Sequence, residues 1–230
     1  MRLDAHQFFT PEHLPEHLAS ILARNRFDGS IALARTSQET AGLLDLALRH
    51  DYIRGVIACP ESLDDLDAFQ RHPKFVGVWG QSLDFATLAA RAVPLDVLLP
   101  ASGVLPLVER YPELRIALVH LGLPDGSDAW YRAIEKLAQS PHVYVKASGL
   151  ITQFPRPWNA ACVRPFVQHA LSVFGPQRVM FGSDWPACLP DSIWKETLAA
   201  FTQSIGAQTM EARESMLGGA ACRFYGIENQ

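Results

Sequence analysis

Short apolar segments alternate with longer amphipathic segments along the whole chain, and no other feature of the sequence restricts the fold as strongly. The apolar segments are four to six residues long and rich in Val, Ile and Leu, as expected for strands that are covered on both faces. The segments between them carry apolar residues at three- and four-residue spacing, which predicts helices. The predicted strands are Leu3–Phe8, Ser30–Arg35, Ile53–Ala58, Phe75–Trp79, Leu95–Leu99, Arg115–His120, Val143–Ala147 and Arg178–Phe181.

Strands that alternate with helices pair in parallel through right-handed crossovers. Eight such units in 230 residues average roughly 29 residues each, close to the size of a minimal βαβ unit. We therefore expect a single α/β domain over residues 1–230, a compact (β/α)₈ TIM barrel with short βα loops. The alternative is an open doubly wound sheet, which would need a Gly-rich turn after its first strand. Residues 4–8 contain no glycine.

Composition excludes several classes of function. The net charge is −4 and no run of Lys or Arg occurs, which argues against nucleic acid or an anionic membrane as a partner. Asp4 and His6 stand where a signal peptide would be apolar. The four cysteines are widely spaced and form no CxxC motif. We expect a cytoplasmic protein that acts on a small-molecule substrate, and a helix face of such a barrel could also pair copies into a homo-oligomer.

Four chemically active side chains fall at the carboxyl ends of different predicted strands, where barrel enzymes place their chemistry. They are His6, His120, Lys146 and Asp184. Histidine titrates near neutral pH and is the commonest metal ligand. A carboxylate beside two imidazoles could either complete a three-ligand metal site or deprotonate a water molecule. Both alternatives remain open from the residues alone.

Other predicted strand ends, and the Pro-rich loop at residues 154–158 after the seventh strand, carry side chains that could contact a substrate. Trp79, Trp158 and Trp185 would suit stacking on a sugar ring or a flat pyrone, and Gln81 lies beside the first of them. The alternative for the tryptophans is that they only close the top of the barrel. We include all four among the candidate substrate-binding residues.

Five segments in order along the chain resemble motifs of the amidohydrolase superfamily. The resemblance is to its amidohydrolase-related branch (amidohydrolase 2), which contains sugar-lactone and 2-pyrone-4,6-dicarboxylate lactonases. The segments are Asp4–Phe9, His120–Pro124, Val145–Leu150, Phe181–Pro186 and Arg223–Gly226, and the fourth is the most specific match. The resemblance covers nearly the whole chain.

This resemblance implies a (β/α)₈ hydrolase that opens a small lactone or related cyclic ester. It assigns Asp184 as the general base for the attacking water, and His6 and His120 as groups that polarise the carbonyl or hold a divalent metal. Lys146 or Ser148 could donate to the developing oxyanion, since ester hydrolysis needs such donors. Lys146 could instead form a structural ion pair with Asp184.

The sequence departs from the family motifs at several positions. Phe8 replaces the second histidine of the opening motif, Leu123 replaces a lysine, and Val119 replaces the acid that usually precedes the strand-six histidine. Residues 76–79 lack the arginine that the family tends to use for an anionic substrate. The chain is also shorter than typical members of the family.

These departures leave His6, His120 and Asp184 as the metal ligands if a metal is bound. Three protein ligands and a water are enough for catalytic zinc. We expect either no required cofactor or one weakly held divalent ion, with zinc favoured. Two further functions stay open: a metal-dependent decarboxylase of aromatic acids, and a barrel that has lost catalysis and binds a small ligand.

Overall fold

A computed structural model describes residues 1–80, 83–154 and 159–228. Within these ranges eight strands alternate with helices, as the sequence predicts. The strands are β1 (Leu3–Gln7), β2 (Gly29–Leu33), β3 (Ile53–Ala58), β4 (Phe75–Trp79), β5 (Leu95–Val97), β6 (Ile116–Leu118), β7 (Val143–Ala147) and β8 (Val179–Phe181). Three of the predicted strands match to the residue, and the others are shorter or shifted by one or two residues at their ends.

The strands form one parallel sheet in sequential order from β1 to β8. The segment after β8 meets β1 through two backbone hydrogen bonds, from Asp184 N to His6 O (2.9 Å) and from Phe8 N to Trp185 O (3.0 Å). Sequential parallel pairing that returns to the first strand is a (β/α)₈ barrel. The open-sheet alternative is therefore wrong.

The helices surround this barrel. Their bounds are α1 (Pro15–Arg24), α2 (Ser37–Arg49), α3 (Leu63–Gln70), α4 (Phe85–Ala90), α5 (Ala101–Arg110), α6 (Asp128–Ala138), α7 (Ala160–Phe174), α8 (Trp194–Ile205), α9 (Met210–Glu214) and α10 (Ala220–Tyr225), with a π-helical turn at Ser215–Gly219. None of the helices in the described ranges is long and apolar enough to cross a membrane.

Side-chain caps set several helix starts. Ser62, Asp84 and Asn159 accept hydrogen bonds from the first backbone N–H groups of α3, α4 and α7.

Thr10, Pro11 and Glu12 are the residue types typical of an N-cap, a first helical position and an acidic first turn, so the sequence predicts that the first helix opens at Thr10. This prediction is wrong, because α1 begins at Pro15. Thr10 instead pairs with His13 in a tight turn, through His13 N to Thr10 O at 3.1 Å.

The C-terminal helix α10 covers the bottom of the barrel. Phe224 and Tyr225 belong to the same apolar cluster as inward-facing residues of six strands, namely Ala5, Ile31, Leu33, Ile57, Val76, Ala117 and Met180. One end of the barrel is therefore filled with packed side chains. The chemistry must lie at the other end, where the strands finish at their carboxyl termini.

Asp4 joins the first and last units of the barrel at that end. One carboxylate oxygen accepts from Ser183 N (2.8 Å) and His6 N (3.3 Å), and the other accepts from Trp194 Nε1 (2.7 Å). Since Ser183 precedes Asp184 and His6 is two residues from Asp4, this carboxylate fixes the backbones of both predicted site residues. Asp4 therefore positions the site.

Candidate active site

Three candidate residues from distant parts of the sequence meet at the mouth of the barrel. His6 Nε2 lies 3.7 Å from Asp184 Oδ1, and His120 Nε2 lies 3.8 Å from Asp184 Oδ2. The two imidazole rings are 5.1 Å apart, and all three side chains are buried. The structure thus brings together three of the four residues that strand-end placement predicts to converge, the fourth being Lys146.

Two of these residues have left-handed backbone conformations. The sequence predicts that His120 ends a strand, but in the structure it lies in the 3₁₀ turn Val119–Gly122 and has φ +51°. Asp184 has φ +60°. Such conformations cost a non-glycine residue on the order of 1–3 kcal/mol, and they concentrate at functional sites. Here they turn both side chains from the ends of β6 and β8 towards the axis of the barrel.

Two glycines allow the rings to sit against backbone. A Cβ atom at Gly149 would lie 2.6 Å from His120 Cγ, and Gly149 has φ +62°. A Cβ atom at Gly182 would lie 2.7 Å from His6 Cβ. Both positions therefore require glycine, because any side chain would displace a histidine of the site.

Ser148 and Thr152, which follow β7, make hydrogen bonds to His120 and Asp184. Ser148 Oγ lies 2.9 Å from His120 Nδ1, and Thr152 Oγ1 donates to Asp184 Oδ2 at 2.8 Å. Sequence reasoning names Ser148 but misses Thr152. No spacing rule points to Thr152, because it lies in the loop beyond the family-like segment, and only its contact with Asp184 reveals it.

Burial controls the charges of these groups. Desolvation raises the pKa of Asp184 to about 6, although the hydrogen bond from Thr152 opposes that rise. Desolvation, reinforced by the charge of Lys146, lowers the pKa of His120 to about 4 and that of His6 well below 6.5. Near neutral pH the site therefore holds an ionised carboxylate between two neutral imidazoles.

Lys146 has a different position from the one predicted. Its ammonium is fully buried and donates to Ala5 O (2.7 Å) and to Asp96, whose other carboxylate oxygen accepts from the Tyr225 hydroxyl. An ion pair with Asp184 is therefore wrong, and a substrate-donor role does not fit an ammonium enclosed within the barrel. The sequence offers no means to choose Asp96 as the partner.

The tryptophans predicted to contact a substrate have different environments in the structure. Trp79 is partly exposed at the end of β4, with its ring 6.4 Å from that of His6, so it can contact a molecule at the mouth. Trp185 is only 1% exposed and packs edge-on against Phe9 and His13. Its predicted role in substrate binding is therefore corrected to packing. Gln81 and Trp158 lie outside the described residues.

The donor set at the mouth fits a zinc ion in type and number. One atom from each of His6, His120 and Asp184 lies within 4.8 Å of the others, and the buried His6 Nδ1 has no hydrogen-bond partner in the part of the chain described. Two nitrogens and one oxygen are usual zinc donors. Phe8 adds no ligand, because a phenyl ring has no donor atom for zinc, and its ring lies beneath the guanidinium of Arg35.

The sequence of this chain also matches a protein family and several known proteins. The amidohydrolase family model (Amidohydro_2) matches residues 26–227. The chain belongs to this family. It is 29% identical to L-fucono-1,5-lactonase from Burkholderia ambifaria and 30% identical to L-fucono-1,5-lactonase from Burkholderia multivorans, with 99% of this chain and 96% of each relative covered.

A crystal structure of an amidohydrolase from Burkholderia multivorans with bound zinc has the same fold. It superposes with a TM-score of 0.87 at 28% identity, covering 99% of this chain and 100% of that one. The alignment with the B. ambifaria lactonase extends over 289 positions, whereas this chain has 230 residues. That relative therefore carries insertions that this member of the amidohydrolase family lacks.

Proposed function

We propose that this amidohydrolase-family protein hydrolyses the ester of a small, uncharged sugar lactone. The observation that carries the proposal is the Asp184 carboxylate, which is buried between two neutral imidazoles and has a raised pKa of about 6. A base in this range is suited to take a proton from water near neutral pH. The similarity to two L-fucono-1,5-lactonases supports a sugar lactone as the substrate class.

The proposed mechanism assigns a separate role to each member of the triad. Asp184 takes a proton from a water molecule as its oxygen attacks the lactone carbonyl carbon. The N–H groups of His6 and His120 donate to the carbonyl oxygen, which becomes negative in the tetrahedral intermediate. The intermediate collapses as the bond between the carbonyl carbon and the ring oxygen breaks, and the proton held by Asp184 passes to that ring oxygen. The product is an open-chain hydroxy acid.

A divalent ion, if bound, would be held by His6, His120 and Asp184, and it would supply a Lewis acid that polarises the carbonyl or activates water. The three residues also form a complete acid–base and donor set in their own right. Retention or loss of activity in a chelator distinguishes the two forms of the reaction.

The pairing of two cations among the described residues supports the preference for a neutral ring. Lys146 is committed to Asp96, and Arg35 forms a bidentate pair with Glu39 (2.9 and 3.3 Å). A dicarboxylate substrate would need cations free to pair with its two negative groups. Trp79 instead offers an apolar face to a sugar ring.

A pH-indicator assay tests this proposal, because ring opening releases a proton from the new carboxylic acid. Sugar 1,5-lactones and pyrone carboxylates are compared with and without EDTA, with Asp184→Asn as the blank. We expect hydrolysis of neutral lactones that disappears in Asp184→Asn. Pyrone dicarboxylate as the better substrate would contradict the neutral-ring preference.

If the folded protein hydrolyses no compound of the panel, the proposed hydrolase function is contradicted and the alternative of a barrel that only binds a small ligand is favoured. Turnover of the panel that persists in Asp184→Asn would remove Asp184 as the base. Decarboxylation of an aromatic acid that requires added metal, with no lactone hydrolysis, would favour the decarboxylase alternative.

A further inference from the structure

Ser148 makes two contacts with the same histidine. Its hydroxyl oxygen accepts a hydrogen bond from His120 N (3.3 Å) and lies 2.9 Å from His120 Nδ1. The side chain is buried, and its hydroxyl makes no other hydrogen bond within residues 1–80, 83–154 and 159–228. The direction of the second contact decides which nitrogen of His120 carries the proton.

The two possible directions of the hydrogen bond between Ser148 Oγ and His120 Nδ1 differ in whether every buried donor has an acceptor. If Ser148 donates to Nδ1, the hydroxyl proton has an acceptor, the hydroxyl oxygen has its backbone donor, and the ring proton lies on Nε2. If Nδ1 carries the proton and donates to Ser148, the oxygen accepts twice and the hydroxyl proton is buried without an acceptor. A buried donor without a partner is costly, so the first arrangement is favoured.

We propose that Ser148 is a positioning residue that holds His120 in the tautomer with its proton on Nε2. That nitrogen faces the mouth, 3.8 Å from Asp184 Oδ2. His120 is thereby set as a hydrogen-bond donor to a lone-pair-bearing atom of the substrate, namely the lactone carbonyl oxygen. Ser148 acts through His120 and does not itself contact the substrate.

The surroundings keep this arrangement rigid. Gly149 brings backbone against the imidazole, since a Cβ atom there would lie 2.7 Å from His120 Nδ1, and a Cβ atom at Gly182 would lie 3.0 Å from Ser148 Cβ, so glycine backbone also packs beside the serine. The contact between Ser148 Oγ and His120 Nδ1 also affects how well His120 can bind zinc. An ion on Nε2 would require the proton to move to Nδ1 and would leave the Ser148 proton without an acceptor, which weakens the ion's binding.

Nitrogen-15 NMR of the histidine rings tests this assignment directly. The protein is labelled with ¹⁵N-histidine and kept in EDTA above pH 7, and the His120 signals are identified by their loss in His120→Gln. We expect a protonated, pyrrole-type Nε2 and an unprotonated, pyridine-type Nδ1. In Ser148→Ala we expect His120 to become a mixture of tautomers. A native spectrum with the proton on Nδ1 would overturn the proposal.

Thr152→Val is the matched control, since it removes another hydroxyl that is hydrogen-bonded to the triad, at Asp184, without touching His120 Nδ1. It should leave the His120 tautomer unchanged, whereas an equal change in both variants would show a general loosening of the site. An unchanged His120 pattern in folded Ser148→Ala would also overturn the proposal. If Ser148→Ala does not fold, the native spectrum still decides.

The catalytic part of this inference rests on the proposed hydrolase function. We expect Ser148→Ala to lower kcat by about tenfold, since the loss corresponds to one hydrogen bond, with a smaller change in KM. The NMR result is independent of turnover. A protein that hydrolyses no lactone but shows the Nε2–H tautomer would retain the positioning role of Ser148 and lose the proposed function.

Discussion

Asp96 and Asp184 are both buried carboxylates of the same barrel, and their partners differ sharply. Asp96 lies in the interior, where Lys146 donates to one oxygen and Tyr225 to the other. Asp184 lies at the mouth, where Thr152 is its one close side-chain donor among the described residues and the two imidazoles stay beyond hydrogen-bond distance. Burial alone therefore does not distinguish a carboxylate with a charged partner inside the protein from one that lacks such a partner among the described residues.

The difference lies in whether hydrogen-bonding capacity is left over for a ligand. Asp96 has a charged partner and a phenol within contact, so its charge is compensated inside the protein. Asp184 retains lone pairs that face the Nε2 atoms of two imidazoles at 3.7 and 3.8 Å. Its backbone also has a left-handed conformation. We interpret Asp96 as part of the framework and Asp184 as the reactive group.

The largest expected effect separates the two carboxylates by activity. Asp184→Asn should lower kcat by about a thousandfold, because a general base contributes roughly 10²–10⁴ in rate. Its free energy of unfolding should stay the same or rise, since a desolvated charge is removed. Lactone hydrolysis and urea unfolding measure the two effects. A variant that loses stability in proportion to activity would place Asp184 in the framework with Asp96.

The second prediction concerns the framework pair. Lys146→Met leaves Asp96 buried without its cation and should lower the free energy of unfolding by about 3–5 kcal/mol. The double variant Lys146→Met/Asp96→Asn should recover part of this loss, because no uncompensated charge remains. Urea denaturation measures both. A single variant that unfolds like the native protein would show that the pair is not a framework element.

The third prediction uses the pKa of Asp184, which is raised from 3.8 to about 6 by burial. Since the proposed base Asp184 can accept a proton only when it is ionised, log kcat/KM should fall with unit slope, about tenfold per pH unit, below pH 6. The folded protein binds the proton more tightly than the unfolded chain between these two values. The contribution of Asp184 to the free energy of unfolding therefore decreases as pH rises from about 4 to 6.

Comparison with Asp184→Asn isolates this contribution. The difference in unfolding free energy between the native protein and the variant should change across that pH window and be constant on either side of it. An activity profile that is flat down to pH 5 would be inconsistent with Asp184 as the base.

The smallest expected effect comes from Thr152, which donates a hydrogen bond to Asp184. Thr152→Val removes a hydrogen bond that lowers the pKa of Asp184, so the acid limb of the rate profile should move to higher pH. Activity at pH 8 should change by less than about threefold, because the carboxylate is still ionised there. Thr152→Ser retains the hydroxyl and should restore the native profile. A limb that moves to lower pH would contradict this role.

The sequence predicted the barrel well because its evidence is local. Strands such as Ile53–Ala58 and Val143–Ala147 are continuous apolar runs, and caps such as Ser62 and Asn159 stand next to the helices they begin. The predicted start at Thr10 was wrong because a turn with His13 competes there for the same backbone groups. Strand-end placement also located His6, His120 and Asp184, since parallel strands finish at the same edge.

Only the tertiary structure decided how the polar side chains pair. Lys146 could reach several carboxylates in a barrel, and its choice of Asp96 depends on inward-facing positions of two strands that lie 50 residues apart in the chain. The contact of Thr152 with Asp184 and the left-handed turn at His120 likewise depend on how loops meet above the sheet. Patterns along the chain determine which segments are buried, because burial follows periodic apolarity. Pairing depends on distances of a few ångströms, which no pattern along the chain records.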